Sequence, residues 1–109
     1  MKLIVAVIHD EDSHMLVEKL TEQNYRVTKL ASTGGFLKSG NTTILVGVEK
    51  EKVEEVIDLI KTVCKSRKEM APAPTTIMGD TGFFITYPIE VQVGGATIFV
   101  LDVDRFEKV

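Results

Sequence analysis

A chain of 109 residues, 44% hydrophobic and 27% charged, has the make-up of one compact water-soluble domain, which we expect to span residues 1–109. Its formal net charge of −3 excludes broad electrostatic binding of nucleic acid, and its longest apolar runs are too short to cross a bilayer as a helix. The single cysteine, Cys64, excludes an intrachain disulfide, and residues 1–8 lack the three regions of a signal peptide, so a reducing cytoplasmic setting is expected.

Residues 3–8 form an unbroken apolar run and read as a central strand, apolar on both faces. Asp10, Glu11 and Asp12 then suit the positive end of a helix whose inner face carries Ser13, Leu16, Val17 and Leu20. A second strand is expected over 25–32, a turn-rich connection over 33–41, and a third strand over 42–48. The clearest helix follows, with Val53, Val56, Ile57, Ile60, Val63 and Cys64 at helical spacing. From 65 to 82 the periodicity stops, which predicts a long connection of functional rather than structural character. Strands return over 83–93 and 96–103, joined by Gly94-Gly95 as a hairpin signal.

The predicted order is β-α-β-β-α-β-β, an α+β ferredoxin-like sandwich with an extra C-terminal strand. Two helices cover one face of such a sheet. The first and last strands are nevertheless apolar on both faces, so the second face is expected to pack against other subunits.

One window stands apart chemically. Residues 23–48 contain no Asp or Glu, and Arg26, Lys29 and Lys38 give the window a local charge of +3. The same window holds Gly34, Gly35, Gly40, Gly47, several hydroxyls, Asn24, Asn41 and the aromatic Phe36. Forked arginine donors and approachable glycine backbone suit phosphate, and an aromatic at a loop tip suits a flat base. Taken singly, each item also fits a turn, a loop anchor or a solvated strand face. Catalytic machinery is absent from the pattern: Cys64 continues an apolar stripe, His9 and His14 lack metal-site spacing, and Asp102 and Asp104 read as solvated at a strand end. Neither an enzyme nor a metal or cofactor protein is expected.

The run Ala31-Ser32-Thr33-Gly34-Gly35-Phe36-Leu37-Lys38-Ser39-Gly40-Asn41-Thr42-Thr43 resembles a signature of the PII-like cyclic-di-AMP receptors. So do Asn24-Tyr25-Arg26-Val27-Thr28-Lys29-Leu30 and Tyr87-Pro88-Ile89-Glu90-Val91-Gln92-Val93-Gly94-Gly95-Ala96-Thr97-Ile98-Phe99-Val100-Leu101. The resemblance implies a PII-like homotrimer that holds cyclic-di-AMP in clefts between subunits, reorders the 33–41 and 65–82 connections, and so signals to a downstream protein. Carried over residue by residue, it implies that Asn24, Arg26 and Thr28 face the phosphate-ribose ring and that Gly35 contributes backbone contacts. It also implies that Phe36 and Leu37 cover one adenine while Asn41 and the backbone of Gly47 read the edge of the other. The rival readings are a PII-type sensor of ATP or ADP and a ligand-free interaction scaffold.

Overall fold

A computed structural model of the chain describes residues 1–31, 40–76 and 84–109. The elements are β1 (Lys2–His9), α1 (Asp10–Glu22), β2 (Val27–Ala31), β3 (Asn41–Val48), α2 (Val53–Val63), β4 (Arg67–Thr76), β5 (Phe84–Val93) and β6 (Ala96–Asp102). A single 3₁₀ turn, Lys50–Lys52, leads into α2. Four strands form an antiparallel sheet in the order β2-β3-β1-β6, and β4 and β5 form a separate two-stranded ribbon. Four antiparallel strands with two helices are consistent with the expected ferredoxin-like arrangement.

Strand alternation decides which face is buried. Ile4, Ala6 and Ile8 of β1 share one face with Ile44 and Val46 of β3. All five are buried together with Leu16 and Leu20 of α1 and Val53, Val56 and Ile60 of α2. Both helices therefore lie on that face. The residues between point the other way. Val5 stands opposite Leu45 and Phe99, and Leu3 opposite Gly47 and Leu101. No described helix covers this second face, where Leu30, Phe99 and Leu101 are 50%, 52% and 49% exposed. The apolar surface inferred from β1 and the last strand is thus real in the single chain.

Two expectations are corrected. The stretch 65–82 was expected to lack structure, yet Arg67–Thr76 is a strand paired along its length with β5. None of residues 67–70 and 88–93 is buried, so these parts of the ribbon carry no core-facing alternation for a periodicity reading to detect. Its prolines obey the same logic: Pro72 stands opposite Pro88 in the register, which a ribbon tolerates because both its strands are edges. The additional strands are thus this ribbon, while the last strand β6 pairs with β1 as a regular member of the main sheet.

The second correction concerns Gly94-Gly95, which does not close a hairpin, because β5 pairs with β4 and β6 pairs with β1. It forms a corner between ribbon and sheet. Both glycines have positive φ, +82° and +89°. A side chain at Gly94 would collide with the Lys65 carbonyl oxygen at 2.5 Å, so glycine is required twice over. The Gly95 N–H donates to the Cys64 carbonyl and the Gly94 N–H to His9 Nδ1 at 3.2 Å, tying the corner to the ends of α2 and β1.

The root of the ribbon is also held by charge. Arg67 Nη2 donates to Asp12 Oδ1 at 2.9 Å, and Arg67 Nε to Glu69 Oε1 at 3.1 Å. These hydrogen bonds, Asp12 first, hold the guanidinium protonated well beyond its ordinary range. Asp12 is buried, so part of the acidic helix start is a structural anchor rather than a solvated face. Asp102, expected to be merely solvated, pairs with Lys2 across the β1–β6 register, and that ammonium holds its carboxyl below the usual range.

Candidate functional site

A cleft of about 650 Å³ opens at the end of the sheet where β1 and β2 begin and β3 and β6 end. This lies within the range of roughly 300–1,000 Å³ usual for small-molecule sites. Asn24, Arg26, Thr28 and Gly47 all line it, although they come from two elements and the turn before one of them. Leu3, Leu45, Val103 and Phe106 supply an apolar wall, and Glu49 and Lys52 the remaining charges.

Local sequence explains how each polar residue arrives there. Helix α1 stops at Gln23, and Asn24 takes the left-handed conformation, φ +66°, its N–H donating to the Thr21 carbonyl at 2.9 Å. Asparagine tolerates this conformation better than other residues with a side chain, so the turn that ends α1 also aims the chain into β2. Arg26 precedes β2 and is exposed. Among the described residues no carboxylate lies within 4.0 Å of its guanidinium, which leaves all its donors available to a ligand anion.

Gly47 occupies the open face of β3 opposite Leu3. A Cβ there would meet only Met1 Cε, at 3.9 Å, so packing within the chain does not demand glycine. What glycine provides is a bare strand backbone on the floor of the cleft.

The helix-ending role of Asn24 is separable from any ligand role. Asn24→Gly keeps the left-handed turn and is expected to leave the thermal midpoint within a degree or two. Asn24→Ala forces an alanine into that turn and is expected to destabilise the fold by about 1 kcal/mol. Denaturant unfolding of both variants checks this, and a ligand role would show as weaker binding by Asn24→Gly despite unchanged stability.

The other predicted residues lie elsewhere. Asn41 is the first residue of β3, opposite His9 at the far end of β1. It lies six positions before Gly47, roughly 20 Å along a strand. One chain therefore does not bring Asn41 and Gly47 together. Gly35, Phe36 and Leu37 lie outside the described residues. Sequence reasoning placed neither Val103, read as the end of the last strand, nor Phe106, in the tail after it, at the site, yet both line the cleft.

The remaining chemical groups are accounted for structurally. Cys64 is buried, and burial first, then the nearby Asp12 carboxylate, push its thiol up to about 11. A thiol normally near 9 that titrates near 11 in the fold stabilises the protein below pH 9, and that contribution is lost as pH rises towards 11. We expect a disulfide reagent at neutral pH to label Cys64 only after unfolding, which absorbance of the released thiolate will test. His9 accepts from Gly94, and His14 stands 3.7 Å from Glu18 one helical turn on. Among the described residues no three His, Cys, Asp or Glu side chains gather to hold a metal, and no helix is long and apolar enough to cross a membrane.

A solved structure described as that of a functionally unknown protein from Pediococcus pentosaceus is similar throughout. It is 45% identical, with a TM-score of 0.76, and the match covers 99% of this chain and 96% of that one. The family profile described as cyclic-di-AMP receptor matches residues 1–109, the whole chain, so the chain belongs to the cyclic-di-AMP receptor family.

Proposed function

We propose that this protein is a non-enzymatic cytoplasmic sensor that binds cyclic-di-AMP in clefts between the protomers of a PII-like homotrimer. The observation that carries this reading is the convergence of Asn24, Arg26, Thr28 and Gly47 on one cleft bordered by an uncovered apolar sheet face. The basic window offers the anion a local charge that the chain as a whole lacks. The open face offers a second protomer apolar surface on which to pack.

The distance between Gly47 and Asn41 supports a site shared between protomers. If both read one adenine, a single chain cannot supply them, whereas Gly47 of one copy and Asn41 of the next can meet across an interface. Gly35, Phe36 and Leu37, in the connection that precedes Asn41, would complete that second half. Ligand binding would then order the 33–41 connection over the dinucleotide and shift the protein to a state that a downstream protein distinguishes.

Thermal shift against ATP, ADP, AMP, cyclic-di-AMP and cyclic-di-GMP tests the reading. A rise with cyclic-di-AMP alone is expected. A rise with ATP or ADP instead would make the protein a PII-type energy sensor, and a flat panel would favour a ligand-free scaffold.

Gly47→Ala provides a sharper check, because the fold has room for the methyl group. Unfolding midpoints should be unchanged or slightly higher, while cyclic-di-AMP affinity measured by calorimetry should fall by about tenfold or more as the methyl group occupies the ligand's approach to the strand. Equal affinity would remove Gly47 from the contact surface.

A further inference from the structure

We propose that Phe106, carried on the C-terminal tail, is a base-stacking residue of the cleft; the inference rests on the reading of that cleft as the cyclic-di-AMP site. The sheet order puts β6 at the opposite edge from β2, with β1 and β3 between them. After β6 ends, the Val103 N–H donates to the Met1 carbonyl at 3.3 Å. From that anchor the tail reaches the same cleft as Arg26 and Thr28. Phe106 thus shares a cleft with the start of the basic window, although the two lie far apart in the chain.

The character of the tail isolates this residue. Residues 104–108 read Asp-Arg-Phe-Glu-Lys, so Phe106 is a lone aromatic among charges. Its neighbours Arg105 and Glu107 pair with each other at 2.6 Å. Two aromatic rings line the cleft among the described residues, Tyr25 and Phe106. Tyr25 packs against the hydrophobic core, so its ring is already engaged. Phe106 is 64% exposed, and its ring is open to a planar partner. Stacking accepts any base with an available face, and it suits a ring presented by a strap held at a single backbone hydrogen bond. Gly47 shares the cleft, so the geometry points to one purine that meets Gly47 backbone at its edge and Phe106 on its face.

The chain contains no tryptophan, so Phe106→Trp introduces a single tryptophan at the proposed contact, which can be excited apart from the two tyrosines. Cyclic-di-AMP should bind this variant about as tightly as wild type and should quench or shift its emission. Phe106→Ala should weaken binding by about tenfold in calorimetry, a typical loss for one stacked base, and Phe106→Leu should recover only part of that. Wild-type affinity for Phe106→Ala, or unaltered emission from Phe106→Trp at saturation, would overturn the role of Phe106 while leaving the cleft intact, provided that Arg26→Ala still weakens binding. If wild-type protein fails to bind cyclic-di-AMP at all, the reading of the cleft fails and this inference falls with it.

Discussion

Arg26→Ala is expected to weaken cyclic-di-AMP binding ten- to hundredfold without altering the fold. The size follows from the interaction it removes. A hydrogen bond between an arginine and a phosphate oxygen is charge-assisted and contributes about 1.5–3 kcal/mol, and each 1.4 kcal/mol is a factor of ten in affinity. The unchanged fold follows from position: Arg26 is exposed, precedes β2, and has no carboxylate partner among the described residues whose charge would be stranded by its removal. Arg26→Lys keeps the charge but loses the planar fork, so it should recover only part of the affinity. Raising salt should weaken the wild type more than Arg26→Ala. Calorimetry at two ionic strengths measures all of this. Parallel salt dependence in the two proteins would mean that the guanidinium does not face the phosphates.

The sequence made the main sheet legible wherever one face had to be buried. The apolar run at 3–8 and the stripe Val53, Val56, Ile60 and Cys64 identify themselves by period, and these helix residues and the alternate strand residues are the ones that form the core. Features fixed by a distant partner were not legible. Asp12 looked like any acid at a helix start, and only the fold reveals Arg67, 55 residues away, against it. Gly94-Gly95 signalled a hairpin, but a glycine turn leaves open which strands it joins, and here the flanking strands belong to different sheets. The site divides along the same line. Asn24, Arg26 and Thr28 are neighbours in sequence and lie together, whereas Phe106 comes from the far end of the chain and meets their cleft only in the fold.

The open face carries the second large effect. Phe99 and Leu101 stand on β6 with about half their surfaces in water, opposite Val5 and Leu3 across the sheet. A monomer would keep this continuous apolar strip hydrated, and full burial of a large apolar side chain is worth about 1.5–3 kcal/mol. Phe99→Glu combined with Leu101→Glu should therefore leave the helix-covered core untouched while placing two charges in the proposed interface. Sedimentation should show the wild type at about three times the 12.1 kDa chain and the double variant at the mass of one chain, with native circular dichroism. Cyclic-di-AMP binding should be lost along with assembly, although neither residue lines the cleft, because half of the site would come from the next protomer. A monomeric double variant that still bound tightly would place the whole site within one chain, and a monomeric wild type would leave the apolar face without the partner argued for it.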